Sequence, residues 1–269
     1  MHPIERLRYV ARSSGTDQRV LVHETAEAIR GLGVDAAGLV VACRRIVERH
    51  PTSGPLWWLC ASLLTAADPF DSARAWAREV EADATPDRLV AALADDATVC
   101  VVGWPDLVGE AIGRRGDARV LALDVDGHAG SLVRRLQREG IDAEVVEPAG
   151  AAAAVVASDL VLIEALACTP TDAIAAAGSR AAASVAYCSE VPVWLVAGRA
   201  RRLPIPFVDA MIERLDVQRT GWRPDAEVVP VGLFGSIAGP DGVTHVERAA
   251  QVLAPECPFA PELLRPSPM

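Results

Sequence analysis

The sequence predicts an α/β protein in which an N-terminal helical domain precedes a Rossmann-like, doubly wound parallel sheet. Two observations carry this. Up to about residue 93 apolar residues recur at helical spacing, and beyond it short β-branched runs alternate with helical segments. Strand, helix, strand at that interval means right-handed βαβ units and hence a parallel sheet. The expected division is a helical domain over 1–93, an α/β domain over 94–254 and an extended, Pro-rich tail over 255–269.

In the helical region, Asp35 is placed to cap a helix whose stripe is Ala36, Leu39, Val40, Cys43, Ile46 and Val47. Residues 54–68 are apolar nearly all round, so this helix belongs between other helices or at a subunit contact. Its Trp57 and Trp58 are expected to pack there, with stacking on a ligand as the alternative. Residues 71–83 are amphipathic, with Ala73, Trp76, Ala77 and Val80 inward. Residues 85–95 carry Thr85 as cap and Pro86 at the first helical position. Strands are expected at 97–102, 118–123, 142–147, 159–165, 191–197 and 226–234. The intervening helices are expected at 105–113, 128–139, 150–157 and 179–188.

Composition excludes several function classes. The chain of 269 residues is 51% hydrophobic, enough for a sizeable core, yet its longest apolar run, 149–158, falls far short of the roughly 20 residues of a membrane span. The N-terminus lacks the apolar core of a signal peptide, so a cytoplasmic protein is expected. Net charge is −10, which argues against a nucleic-acid footprint. Every basic residue counted among Lys and Arg is Arg, which excludes Schiff-base chemistry on Lys and a P-loop lysine. The six cysteines form no C-x-x-C pair and histidines number five, so neither a metal site nor a disulfide is expected. Gly103, Gly109 and Gly113 follow the first strand at the wrong spacing for a dinucleotide fingerprint, and no cofactor is implied.

The segment VLIEALACTPTDAIAAAGS (161–179) raises the functional question. It opens as a buried strand, then places Glu164 where open α/β sheets bind ligands, at the carboxyl end of a strand. Together with EVPVWLVAG (190–198), ERHPTSGPLWWL (48–59) and EVVPVGLFGSIAGPDGV (227–243), it resembles the alpha, beta and delta subunits of eukaryotic translation initiation factor two-B. Their bacterial and archaeal relatives are sugar-phosphate aldose–ketose isomerases. The resemblance spans roughly residues 17–245 and lies in the order of elements more than in identity. It implies a homodimer joined through the α/β domain. It also implies a crevice for a small sugar phosphate or polyol.

The departures from that family fall on its chemistry. The position of its acid–base Asp is Leu166, and the Gly two residues before is Glu164. Its Asn-Lys pair falls on Ala175 and Ala176, leaving Gly178 and Ser179 of the turn. The loop holding its catalytic Cys reads GWPDLVG, with Cys100 earlier, inside the strand. Its phosphate loop aligns with LDVDGHAG, where Asp124 and Asp126 would repel a phosphate. Arg201 matches a family Lys.

Three readings of Glu164 stand open: a displaced general acid–base, a ligand-binding group acting with Asp124 and Asp126, or a structural carboxylate that accepts backbone N–H bonds or pairs with an Arg. Cys168, in the loop after it, is the candidate nucleophile, with an inert thiol as the alternative. Gly178 and Ser179 open a helix that could receive an anion or merely be capped. Gly103 and Asp106 line the first strand's exit, Asp106 doubling as a helix-dipole partner. His128 is a further neighbour of Asp124 and Asp126, and GRARRLP (198–204) is either an anion contact or a solvated loop. A binding or regulatory protein is the preferred reading, and a sugar-phosphate isomerase using Glu164 is the alternative.

Overall fold

The structure, a computed structural model, describes residues 17–32, 35–125, 127–218 and 224–265. The helical region contains α1 (Gln18–Leu32), α2 (Ala36–Arg49), α3 (Gly54–Thr65), α4 (Pro69–Glu81) and α5 (Thr85–Ala92). Asp35 caps α2 as expected, its Oδ1 accepting from the Gly38 N–H at 2.8 Å. The apolar stripe buries Leu39, Cys43, Ile46 and Val47. In α3 every residue from Gly54 to Leu63 is buried, Trp57 and Trp58 included. The cap of α5 differs from expectation. Asp83 supplies the acceptor, its Oδ1 taking both the Thr85 N–H at 2.9 Å and the Thr85 hydroxyl at 2.6 Å, so Thr85 lies inside the helix.

The sheet follows. Its strands are β1 (Thr98–Val102), β2 (Arg119–Leu123), β3 (Ala143–Val146), β4 (Leu160–Cys168), β5 (Asp172–Ala176), β6 (Val193–Val196), β7 (Ala226–Pro230), β8 (Ser236–Gly239) and β9 (Gly242–His245). Between them run α6 (Asp106–Arg115), α7 (Ala129–Arg138), α8 (Ala151–Val156), α9 (Ser179–Cys188) and α10 (Ile205–Gln218), with α11 (Ala249–Val252) after β9. The main order is β3-β2-β1-β4-β6-β8-β9, parallel except for the closing β8–β9 hairpin. Alternate residues face opposite sides. Val99, Val101, Leu160 and Leu162 pack with α5, α6 and α7. Cys100, Val102, Val161 and Ile163 pack with α8 and α9.

β4 departs from the expected strand-then-loop. It pairs in parallel with β6 up to Glu164, opposite Val196, then continues past a register shift between Ala165 and Ala167 into antiparallel pairing with β5. β5 pairs in turn with β7. Ala165 and Ala167 make up half of this continuation and Ala has low β propensity, so pairing partners rather than local preference make it a strand. The expected strand over 226–234 stops at Pro230, and a 3₁₀ turn at Val231–Leu233 intervenes before β8.

The C-terminal segment is not merely extended. Cys257, Ala260 and Leu263 are buried in one cluster with α2, α3 and α10. A 3₁₀ turn at Pro261–Leu264 lies on α2, where Arg44 Nε donates to the Glu262 carbonyl at 2.7 Å. Phe259 stands 5.4 Å from Phe207, whose ring is 5.3 Å from Trp57. Among the described residues, no helix is long and apolar enough to cross a membrane.

Candidate functional site

Glu164 follows Leu160 and Leu162 on the strand face that packs against α6, so the two-residue period aims its carboxylate at the start of that helix. Oε2 accepts from the Leu107 and Val108 N–H groups at 2.8 and 3.1 Å. These are two of the N–H groups that a helix leaves without internal partners, and a carboxylate there also meets the positive end of the dipole. Oε1 lies 2.8 Å from Arg201 Nη2, with side-chain exposures of 7% and 3%. Arg201 Nη1 donates in addition to the Ala165 carbonyl.

The backbone explains why Arg201 turns inward. Ala200 has φ of +65°, a left-handed conformation that a non-glycine residue rarely adopts. Its N–H is held by Glu256 Oε2 at 2.8 Å. Beyond it, the Arg201 carbonyl accepts from the Cys168 N–H at 2.8 Å, locking the segment to β4. Arg199 and Arg202 diverge. Arg199 pairs with Glu256 at 3.0 Å and Glu79 at 3.8 Å, and Arg202 pairs with Glu256. The arginine side chains of the basic run 198–204 therefore meet three carboxylates of the protein itself, the largely buried Glu164 and Glu256 and the exposed Glu79.

Asp106 joins this group from the first residue of α6, its Oδ2 accepting from the Gln18 N–H at 3.2 Å. Burial pushes the Asp106 carboxyl up, opposed by the charge of Arg201 and reinforced by Asp17. Burial likewise raises Glu164, opposed by Arg201 and the two helix N–H groups and reinforced by Asp106. Asp106, Glu164 and Arg201 thus form one coupled electrostatic unit.

The remaining predicted residues fall elsewhere around the strand ends. Gly103 leaves β1 with φ of +64°, its N–H donating to the Leu123 carbonyl at 3.0 Å. Asp124 accepts from the Ala129 N–H at 3.2 Å and so meets a free N–H at the start of α7. Asp126 lies outside the described residues. Gly178 has φ of +90°, and a Cβ there would stand 2.6 Å from Val125 Cγ2. Ser179 is buried at the start of α9. In the next position the Arg180 N–H donates to Glu227 Oε1 at 2.9 Å, so a protein carboxylate already meets that helix end. Cys168 is in the antiparallel part of β4 rather than in a loop, fully buried, and burial pushes its thiol up to about 12. It stays a thiol at neutral pH.

The structure therefore joins Asp106, Glu164 and Arg201, with the Cys168 backbone beside them, and separately joins Gly178 with the Asp124–Val125 turn. Sequence reasoning missed Glu256 and also Asp83, whose Oδ2 accepts from the Arg199 N–H at 2.7 Å; these two acceptors shape the segment around Arg201. Glu256 is an isolated acid in a Pro-rich stretch and Asp83 reads as an ordinary helix-end charge, so only their distant partners reveal them.

A helical region on a doubly wound sheet, with a carboxylate at the exit of the central strand, defines an α/β protein of the Rossmann-like class. Within that class the fold is that of the translation initiation factor eIF2B subunits. Over 93% of this chain and 98% of the other, it superposes on translation initiation factor eIF-2B of Pyrococcus horikoshii OT3 with a TM-score of 0.77 at 18% identity. A chain of the tetrameric eIF2B-beta2-delta2 complex of C. thermophilum gives 0.69 at 12% identity over 93% of this chain and 92% of that one. The delta subunit from Chaetomium thermophilum gives 0.66 at 14% identity, covering 88% and 96%. No protein-family model and no curated protein matches the sequence.

Proposed function

We propose that this chain is an eIF2B-like binding or regulatory protein, cytoplasmic and homodimeric through its α/β domain, whose strand-end crevice has lost isomerase chemistry. One observation carries the reading: the Glu164 carboxylate is engaged on both oxygens by Arg201 and by two helix N–H groups. A general base must present a lone pair to the proton it removes. Here the strongest directions are occupied by the protein itself. The absence of a Lys and an Asn at Ala175 and Ala176 supports the same conclusion. A small phosphorylated or polyol metabolite would enter between Gly103, the Asp124 turn and Ser179.

The alternative is a sugar-phosphate aldose–ketose isomerase with Glu164 as acid–base. It is favoured by the burial-raised pKa of Glu164 beside Asp106, since proton transfer between neighbouring carbons needs a base tuned upward. Thermal unfolding against sugar phosphates, nucleoside phosphates and polyols separates the two. Ligand at about 100 times its dissociation constant stabilises by roughly 2.7 kcal/mol, a shift of several degrees. A shift that Ser179→Ala removes, without turnover of the stabilising ligand, supports the binding role. Turnover of any aldose phosphate that Glu164→Gln abolishes overturns it. Light scattering reports the dimer, and a monomer at micromolar concentration would refute that part.

A further inference from the structure

A cavity opens at the carboxyl ends of β6 and β8, away from the Glu164 cluster. It encloses about 360 Å³, near the lower end of the range in which proteins hold small molecules. Ala197, directly after β6, forms one wall, and Arg202, Asp241, Thr244, Arg248 and Gln251 supply its polar groups. We propose that this cavity binds a phosphate monoester with a small hydroxylated body, Arg248 and Arg202 taking the phosphate and Asp241 and Thr244 taking the hydroxyls.

Four features support the assignment. Its position obeys the rule that open α/β sheets bind ligands outside the carboxyl ends of their strands. Arg248 has no carboxylate within ion-pair distance among the described residues. Its guanidinium donates to the Gln251 amide oxygen at 2.9 Å, which steadies one nitrogen and leaves the others for an oxyanion. Arg202 donates to the Val252 carbonyl at 2.8 Å and to Glu256, but its buried Nε–H has no acceptor. The two Nη contacts use two of the five N–H groups of the guanidinium, which leaves further Nη hydrogens for an incoming anion. Finally, the hairpin between β8 and β9 is fixed from behind, where Arg88 Nε donates to the Pro240 carbonyl at 3.2 Å. The turn that carries Asp241 is therefore held before any ligand arrives.

The chemistry also explains why the site takes more than bare phosphate. Two guanidiniums suit a dianion, while Asp241 and the Thr244 hydroxyl suit a neutral, hydroxyl-bearing remainder. Bare phosphate would leave Asp241 facing another anion.

Calorimetric titration of the full chain at constant ionic strength, with inorganic phosphate, ribose 5-phosphate and ribose as probes, tests the proposal. Ribose 5-phosphate should bind more tightly than inorganic phosphate, and ribose alone should not bind. Arg248 is exposed, so Arg248→Gln should fold and unfold at the wild-type temperature while losing roughly ten-fold or more in affinity. Asp241→Asn should narrow the preference for ribose 5-phosphate over phosphate. Ser179→Ala, in the other crevice, should leave this binding intact. No binding of either phosphate at millimolar concentration overturns the proposal. So does binding that Arg248→Gln does not weaken, or that Ser179→Ala abolishes.

Discussion

Glu164→Gln separates a structural carboxylate from a chemical one. The substitution keeps the shape and removes the charge. A Gln must turn its amide nitrogen either toward Arg201 Nη2, 2.8 Å from the present oxygen, or toward the Leu107 and Val108 N–H groups at 2.8 and 3.1 Å. Either choice sets donor against donor. In the first orientation Arg201, 3% exposed, keeps only the Ala165 carbonyl as acceptor among the described residues; in the second the two helix N–H groups lose theirs. Breaking a buried ion pair from one side costs about 3–5 kcal/mol. For a chain of this size that lowers the melting temperature by roughly 6–20 °C. Differential scanning calorimetry at neutral pH measures it. The paired change Glu164→Leu with Arg201→Met should recover part of the loss, since an apolar pair needs no counter-charge. Recovery stays partial because the two helix N–H groups still lack their acceptor. A Glu164→Gln protein that melts within about one degree of wild type would refute the reasoning.

Three further outcomes follow from the packing. In native protein at pH 8 a thiol reagent should modify Cys188 rapidly and the five buried cysteines slowly, because burial pushes Cys100, Cys168 and Cys257 up to about 12; all six should react in denaturant. Gly178→Ala should destabilise by roughly 1–3 kcal/mol, from its positive φ and from Val125, and Val125→Ala should relieve only the contact part; denaturant titration of the two variants and their combination reads this. Leu263→Ala should cost about 2–5 kcal/mol and, by hydrogen exchange, loosen α2 before the sheet, since Leu263 is fully buried in the cluster that includes α2.

Much of the architecture was legible in the sequence for identifiable reasons. Helical stripes such as Leu39, Cys43, Ile46 and Val47, and β-branched runs such as Val99 to Val102, advertise a period and a face. β5 did not, because Asp172-Ala-Ile-Ala-Ala has neither β-branched density nor alternation, and its pairing comes from β4 and β7. The β8–β9 hairpin went unseen because Ser236–Gly239 and Gly242–His245 are too short to show a pattern. At the site, Glu164 could be marked as unusual from sequence alone, since a carboxylate after an apolar strand needs a reason. Its partner could not be chosen. Arg201 stands among Arg199 and Arg202, and only the positive φ at Ala200, held by Glu256, decides which of the three turns inward.

The packing of residues 257–263 against the first helices sets an order for biogenesis. During synthesis the N-terminal helices leave the ribosome long before Cys257, Ala260 and Leu263, yet these complete the apolar cluster that buries α2 and α3. Contacts spanning more than two hundred residues, such as Arg44 to Glu262, form last and carry a high loop-closure cost. The nearly all-apolar α3 must therefore wait with part of its surface uncovered. Nascent chains stalled before residue 257 should expose that surface to chaperones, and release of the closing segment should end the exposure.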